Sequence, residues 1–272
     1  MNYRHAFHAG NFADCMKHAL LIWLLRALAR KPAGFCVLDT HAGTGRYDLS
    51  GGPAERTGEW RGGIGRLLDD PPPALADYVG LVRQCGLYPG SPVLARALLR
   101  PQDRLVCCEL HPEDHAALHR LFAHDRQVAV HRRDAWEALG ALLPPAERRG
   151  LVLIDPPYEA EDEYERLADG LRRGHARFRT GVFAAWYPVK HRAPVRGLHT
   201  ALRESGIRDV VAAQLDLREP LDPARLNGCG LLVVNPPWRF EAEAPALLHA
   251  LLDRLGTGEA GAGCRVERLV AE

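Results

Sequence analysis

The stretch "LVLIDPPYEA" (residues 151–160) joins a short apolar run to an acid, two prolines and an aromatic residue. Residues 151–154, bounded by Gly150 and the prolines, have the pattern of a buried β-strand. The tetrapeptide Asp155-Pro156-Pro157-Tyr158 therefore follows the carboxyl end of that strand. Because proline has no backbone N–H, the chain leaves the ladder of the sheet at once. This position predicts a turn that faces a ligand.

A near copy of this motif, Asn235-Pro236-Pro237-Trp238, follows the apolar run "CGLLVV". From the residues alone, either copy or neither is compatible with a working site. The second copy follows the last strand of a predicted hairpin, at the far end of the sheet. We therefore interpret it as an edge turn and expect the first copy to be the functional one.

Strands and helices alternate along most of the chain. The predicted strands are "FCVLDT", "RLVCCEL", "QVAVHR", "LVLID", "TGVFAAWYPV", "RDVVAAQLDL" and "GCGLLVVN", and a helix over residues 11–30 precedes the first. This alternation predicts an α/β fold with a mostly parallel, doubly wound sheet. No helix separates the last two strands, which predicts an antiparallel C-terminal hairpin.

Residues 46–90 interrupt the alternation. Glycines cluster in "SGGPAERTGEWRGG", three prolines follow, and "ALADYVGLV" has a helical pattern. We predict a small, mostly helical insertion here, within a single domain of residues 1–272. Ser91, with Pro92 behind it, is predicted to cap the next helix.

The composition is that of a globular protein. Of the 272 residues, 47% are apolar and 25% charged, and no apolar run approaches the roughly 20 residues of a membrane span. No secretory signal is predicted. The seven cysteines include no C-x-x-C pair, which favours a reduced cytoplasm and gives no metal-ligand set. The net charge of +1 leaves nucleic-acid binding to local clusters such as Arg132-Arg133.

Ligands bind doubly wound sheets at the carboxyl ends of the strands. The first strand delivers "DTHAGTG" (39–45), whose glycines let the backbone approach a ligand, although a plain turn explains them equally well. Glu109 ends the second strand, where such folds place a ribose-binding acid. Asp134 follows the third strand, where it can accept from an adenine amine, cap the next helix, or do both. This order predicts an adenosine-bearing ligand, and NAD fits only part of it.

The fourth strand selects the chemistry. A site that holds a flat base by its exocyclic amine needs acceptors in the base plane and an aromatic face. Asp155 offers a carboxylate, the prolines fix the backbone, and Tyr158 offers a stacking surface worth about 1–3 kcal/mol. The motif resembles the (D/N)PP(Y/F/W) motif of S-adenosylmethionine-dependent amino-methyltransferases. The alternative is a Pro-Pro turn with Asp155 as a helix cap.

Seven segments extend the resemblance over nearly the whole chain. They are "YRHAFHAGNFADCMKH", "LDTHAGTGRY", "AERTGE", "YPGSP", "ELHP", "RRGLVLIDPPYE" and "WYPV". Together they resemble the 23S ribosomal RNA adenine-N6-methyltransferase J family. The resemblance implies a monomeric, Rossmann-like class I methyltransferase with an inserted helical subdomain. It also implies S-adenosylmethionine as cofactor, no metal, and N6 of adenine 2030 in 23S rRNA as the target.

The resemblance and the motifs together assign site residues. The predicted catalytic residues are Asp155, Pro156, Pro157 and Tyr158. The predicted cofactor-binding residues are His18, His41, Gly43, Ser91, Glu109, Asp134 and Ala135. Ala135 departs from the family pattern, which has glycine there, so a backbone contact at this position requires a negative φ.

Residues 1–18 carry many aromatic and cationic side chains around Gly10. We predict that this segment contacts substrate and cofactor, because such side chains grip exposed nucleotides. The predicted substrate-binding residues are Tyr3, Arg4, His5 and Lys17. A disordered polar tail is the alternative.

Two other functions stay open at this stage. A DNA adenine-N6 methyltransferase shares the motif at Asp155, and only the resemblance along the whole chain separates it. A non-catalytic dinucleotide-binding domain would use Glu109 but not Asp155. In the favoured interpretation the partner is 23S rRNA, and the target adenine lies in a loop or hairpin, because the base must be unstacked to reach Asp155.

Overall fold

The computed structural model describes residues 4–272, so Tyr3 lies outside the described residues. The strands of this part of the chain are β1 (Cys36–Asp39), β2 (Arg46–Tyr47), β3 (Tyr88–Pro89), β4 (Arg104–Cys108), β5 (Val128–His131), β6 (Gly150–Ile154), β7 (Val182–Val189), β8 (Val210–Asp216), β9 (Gly228–Val234) and β10 (Gly263–Val270). Its α-helices are α1 (Phe12–Ala29), α2 (Gly52–Thr57), α3 (Glu59–Gly62), α4 (Ile64–Asp69), α5 (Ala76–Gln84), α6 (Ser91–Leu98), α7 (Pro112–Leu121), α8 (Ala135–Ala141), α9 (Glu163–Arg177), α10 (Arg192–Glu204) and α11 (Phe240–Leu255).

The main sheet has the strand order β10-β8-β9-β7-β6-β1-β4-β5. From β7 to β5 the neighbouring strands run parallel, whereas β9 runs antiparallel to both β7 and β8. This confirms the predicted α/β fold, with its mostly parallel sheet and antiparallel C-terminal hairpin. β6 lies beside β1 and parallel to it, so the carboxyl ends of the two strands are next to each other.

The C-terminal part of the sheet corrects the prediction. β9 is an interior strand, and β10, which the sequence analysis missed, pairs with β8 and forms the edge. Because β9 runs opposite to β6, the turn at Asn235 follows the end of its strand on the side of the sheet away from the carboxyl end of β6, where Asp155 lies. Nδ2 of Asn235 donates to the carbonyl groups of Arg179 and Gly181, at 2.8 Å each. The second motif is thus remote from the first, but it ends an interior strand.

Residues 46–90 contain α2 to α5 and a short antiparallel ribbon in which Tyr47 pairs with Tyr88. These elements pack against the segment that precedes α1. The N–H of Ile64 donates to the carbonyl oxygen of Gly10 at 2.8 Å. A β-carbon at Gly63 would lie 2.1 Å from the same oxygen, so glycine permits this close approach.

The side chains of β6 alternate between two cores. Leu151 and Leu153 pack into the core beneath α1, α6 and α11, whereas Val152 and Ile154 pack into the core beneath α8, α9 and α10. A strand that is buried on both faces explains the continuous apolar run before Asp155. Among residues 4–272, no helix combines the length and the apolar character needed to cross a membrane.

Candidate active site

A cavity of about 800 Å³ opens at the carboxyl ends of β1, β4 and β6. Small-molecule sites in proteins have volumes of about 300–1,000 Å³. Every predicted catalytic and cofactor-binding residue lines this cavity, together with His5 and Lys17. Arg4 does not line it, and Tyr3 lies outside the described residues.

Lys17 is buried against two carboxylates. Its Nζ lies 2.6 Å from Oδ2 of Asp155 and 2.9 Å from Oδ1 of Asp14. Burial lowers the pKa of Lys17, but the two carboxylates raise it well above its ordinary value. The Asp155 side chain keeps 16% of its surface exposed, against 6% for Lys17. The ion pair therefore presents Asp155 to the cavity and keeps the ammonium behind it.

Asp14 organises the segment ahead of α1. Its Oδ2 accepts from the N–H of Gly10 and lies 2.9 Å from Nε2 of His5. Burial raises the pKa of Asp14, but nearby His5 and Lys17 lower it well below its ordinary value. Asn11 caps α1 by accepting from two backbone N–H groups. These contacts fix the first turn of α1 and thereby the direction of Lys17.

The beginning of the chain bridges two sides of the cavity. Arg4 forms ion pairs with Glu113 at 2.6 Å and Asp114 at 3.2 Å, both at the start of α7. Nδ1 of His8 lies 2.9 Å from Oε1 of Glu59 in α3. Asp114 and Glu59 both line the cavity. The segment thus connects α7 to the inserted helices.

Asp39, at the end of β1, lies beneath the cavity and is 1% exposed. Its carboxylate accepts from Oγ of Ser91 at 2.6 Å and from the N–H of His41 at 3.3 Å. Burial raises the pKa of Asp39 to about 6, against the opposing effect of the Ser91 hydroxyl. The predicted capping role of Ser91 is wrong, because the N-cap of α6 is Gly90 and the hydroxyl donates to Asp39 instead.

His41 connects the loop after β1 to the motif after β6. Its Nδ1 accepts from the N–H of Asp155 at 3.3 Å and lies 2.8 Å from Oγ1 of Thr40. Burial lowers the pKa of His41 to about 4, so its ring is neutral at pH 7.

Glu109 is held by two backbone groups at the end of β4. Its Oε2 accepts from the N–H of Gly43 at 2.9 Å and its Oε1 from the N–H of His111 at 2.7 Å. Burial raises the pKa of this carboxyl. Gly43 has φ +62, and a β-carbon there would lie 2.3 Å from the Tyr47 hydroxyl. Glycine thus lets the loop run directly against the Glu109 carboxylate.

Asp134 is the N-cap of α8. Its Oδ1 accepts from the N–H groups of Trp136 at 2.9 Å and Glu137 at 3.1 Å. Within residues 4–272 its Oδ2 has no hydrogen-bond partner and remains able to accept from a ligand. Ala135 is the first residue of α8 and has no positive φ, which meets the condition for a backbone contact there.

Tyr158 is fixed by its hydroxyl and its ring. The hydroxyl donates to the carbonyl of Trp186 at 2.9 Å, and the ring centre lies 4.9 Å from that of Tyr164. Burial raises the pKa of Tyr158 well above its ordinary value. Its φ is +53, an uncommon conformation for a residue with a side chain and one that concentrates at functional sites.

His18 completes the cavity wall from α1. Its Nδ1 lies 3.0 Å from the hydroxyl of Tyr88, which lies 3.1 Å from that of Tyr78. Burial lowers the pKa of His18 to about 3. Like His41, it is therefore neutral at pH 7. In residues 4–272 no group of three or more His, Cys, Asp or Glu side chains is arranged to hold a metal ion.

Sequence reasoning missed the buried groups that contact the cavity-lining residues and fix their positions. Asp14 was not among the predicted residues, although its spacing of three from Lys17 on a helix predicts an ion pair. Asp39 and Tyr88 gave no comparable signal, because their partners are distant in sequence.

Comparison with known proteins shows the family of the chain. The family described as "Ribosomal RNA large subunit methyltransferase D, RlmJ" matches residues 32–270. The chain belongs to this family. It is 42% identical over 270 residues to the Ribosomal RNA large subunit methyltransferase J of Haemophilus influenzae, covering 95% of this chain and 96% of that one. It is 42% identical over 271 residues to the protein of the same name from Escherichia coli, covering 96% and 97%.

A solved structure agrees with the fold over the same length. A Legionella pneumophila protein is 35% identical and superposes with a TM-score of 0.87, covering 96% of this chain and 98% of that one. The family model and the two relatives confirm the family resemblance predicted from the sequence.

Proposed function

We propose that this chain transfers a methyl group from S-adenosylmethionine to the exocyclic N6 of one adenine in 23S rRNA, numbered 2030 in the family's substrate. The observation that carries the proposal is the convergence of Asp155, Glu109 and Asp134 on one cavity. Family membership supports rRNA as the substrate. The motif at Asp155 supports an amino nitrogen as the methyl acceptor.

One side of the cavity fits S-adenosylmethionine. Each oxygen of Glu109 accepts one backbone hydrogen bond and keeps a lone pair for a ribose hydroxyl. Oδ2 of Asp134 is open to an adenine amine. His18 and His41 are neutral, so neither ring repels a cationic sulfonium. When bound, this cofactor supplies an electrophilic methyl group.

The other side of the cavity fits the target base. Lys17 occupies Oδ2 of Asp155, which leaves Oδ1 to accept from the exocyclic amine. Pro156 and Pro157 hold the backbone carbonyls at fixed angles. Tyr158, held by its hydroxyl, offers a ring face on which the base stacks. Acceptance of both amine protons aims the nitrogen lone pair out of the base plane.

Asp155 acts first as a positioning group and then as a proton acceptor. Lys17 holds its Oδ2, so Oδ1 first positions the neutral amine. Once N6 carries the new methyl group it is cationic, and Asp155 is then the nearest acceptor for the proton that leaves. Positioning and this late proton transfer are the contributions that the chain makes to the rate.

The remaining assignments belong to the same proposal. Residues 1–18 contact substrate and cofactor, with Tyr3, Arg4 and His5 beside the RNA, and the bridge from α7 to α3 over the cavity supports this. Residues 46–90 form an inserted helical subdomain of a single methyltransferase domain, 1–272. The chain acts as a monomer in the cytoplasm, and its free cysteines fit a reducing compartment.

The test is methyl transfer from tritiated S-adenosylmethionine to transcripts of 23S rRNA, followed by digestion to nucleosides. DNA of the same sequence is the matched control. We expect label in N6-methyladenosine from the RNA and none from the DNA. Preferential labelling of the DNA would favour a DNA adenine methyltransferase. Binding of NAD in place of S-adenosylmethionine, without transfer, would favour a non-catalytic dinucleotide-binding domain.

A further inference from the structure

The edge of the sheet at β5 carries a concentration of positive side chains. Residues 111–133 contain five of the 13 histidines and four arginines, but only three acids. We call this region the β5-edge surface. It comprises His115, His119, Arg120, His124, Arg126, His131, Arg132 and Arg133.

The acids of this region are already neutralised. Glu113 and Asp114 pair with Arg4, and Asp125 pairs with Arg96 at 2.5 Å. By contrast, none of the four arginines of the β5-edge surface forms an ion pair within residues 4–272. Their charges are therefore uncompensated in a protein whose net charge is only +1.

The opposite side of the cavity differs in this respect. The β8–β9 loop also carries arginines, and Ala224 and Leu226 of that loop line the cavity. There, however, Arg218 pairs with Glu259 at 2.9 Å, and Arg192 of the neighbouring α10 pairs with Glu219 at 3.1 Å. The unpaired arginines are thus concentrated on the β5 side, whereas on the opposite side Lys190 lines the cavity and forms no ion pair within residues 4–272.

Two histidines of α7 lie within this positive surface. The rings of His115 and His119 lie 5.9 Å apart on one face of α7. Burial, His119, Arg132 and His131 all lower the pKa of His115. Positive groups on α7 and at the end of β5 are therefore close enough to repel one another, and an anion laid over them would relieve that repulsion.

The surface begins at the cavity. Arg133 lines the cavity immediately before Asp134, and Asp114 lines it at the start of α7. From there α7 runs away over ten residues, about 15 Å at 1.5 Å per residue. At its far end, Arg120 of the last turn and His124 and Arg126 of the following loop line a shallow groove. A nucleic-acid strand whose target base enters the cavity can therefore continue along this surface.

Building on the proposed function, we propose that the β5-edge surface binds the phosphate backbone of the rRNA that flanks the target adenine. Such contacts position the RNA without reading its sequence. The partner is RNA because the surface is extended, cationic and continuous with the site that receives the base.

The test compares two triple variants of equal charge. Arg120→Ala/Arg126→Ala/Arg132→Ala removes exposed arginines from the β5-edge surface. The control, Arg148→Ala/Arg179→Ala/Arg196→Ala, removes three exposed arginines elsewhere, which also form no ion pair within the described residues. RNA affinity is measured with a 23S rRNA transcript over a range of salt concentrations, without methyl transfer.

We expect the first variant to flatten the slope of log affinity against log salt by about 2–3, close to one for each lost phosphate contact. Its KM for RNA should rise at least about tenfold, while kcat and S-adenosylmethionine affinity stay within about twofold. The control variant should keep the wild-type slope. The lysine triple at the same three positions should restore it, because lysine also contacts phosphate.

Equal slopes for the two alanine variants would overturn the proposal, because bulk charge would then explain the binding. If the first variant does not fold, Arg132→Ala alone must lower the slope by about one, and an unchanged slope would overturn the proposal. A failure of the proposed function is distinct from these outcomes. It would appear as wild-type protein that methylates no 23S rRNA, whatever its binding slope.

Discussion

Lys17 and Asp155 are 138 positions apart in the sequence, yet a 2.6 Å hydrogen bond joins Nζ of the one to Oδ2 of the other. The same ammonium contacts Asp14, which also holds the backbone of Gly10. The carboxylate that we propose for the substrate is therefore fixed by α1, the helix that precedes the sheet. Changes at the start of the chain should reach the motif at Asp155 through this contact.

Replacing Lys17 by Met should destabilise the protein by about 3 kcal/mol, because it leaves buried Asp14 without its cation. The double variant Lys17→Met/Asp14→Asn should recover most of that stability but not the methyl transfer. Lys31→Met, which changes an exposed lysine, is the matched control. Urea unfolding and methyl transfer are measured on all three. Normal transfer by the single variant would contradict the role given to Lys17.

Replacing Asn235 by Ala should lower stability and leave methyl transfer intact. The change removes two hydrogen bonds to backbone carbonyls and puts alanine at φ +52, which together cost about 2 kcal/mol. The measurement is the melting temperature alongside kcat per folded molecule. A loss of turnover without a loss of stability would move the active site to the second motif.

Asp39→Asn should change how stability depends on pH. Burial raises the pKa of Asp39 from 3.8 to about 6, so the folded state holds this proton more tightly than the unfolded state. The stability that the protonated Asp39 gives to the wild type is complete below pH 3.8 and is lost as pH rises through 6. At about 1.4 kcal/mol per pKa unit, the free energy of unfolding of the variant should therefore rise by about 3 kcal/mol relative to that of the wild type over this pH range. Urea unfolding at several pH values tests this, and a gap that does not change with pH would contradict it.

Deleting residues 1–10 should weaken RNA binding more than S-adenosylmethionine binding. The deletion removes the bridge from Arg4 to α7, whereas His18 and the groups around Glu109 remain. The two affinities are measured side by side on the truncated chain. Equal losses would make the segment a structural strap, and unchanged RNA methylation would make it dispensable.

The sequence predicted the parts of the fold that have strong local patterns. The run before Asp155 is apolar because β6 is buried on both faces, and helical spacing defined the helix that Asn11 caps. β10 escaped prediction because it is an edge strand. Among its residues only Leu269 is buried, and Arg265, Glu267 and Arg268 give it the composition of a polar loop.

The site was predictable where strand ends determine it. Glu109, Asp134 and Asp155 follow neighbouring parallel strands, so their convergence follows from the topology. The partners behind them were not predictable, since contacts such as that of Ser91 with Asp39 depend on how distant elements pack. The same is true of Glu59, which reaches the first residues of the chain from an inserted helix.

The most direct test of the account is methyl transfer by Asp155→Ala, measured together with its affinity for S-adenosylmethionine. In the proposed function Asp155 faces the target amine, while the residues proposed for the cofactor follow other strands, so the two measurements should separate. We predict that turnover falls by about 10²–10⁴, the range of a lost general base, and that cofactor affinity stays within about threefold. Retention of more than about a tenth of wild-type turnover would contradict the proposed role of Asp155.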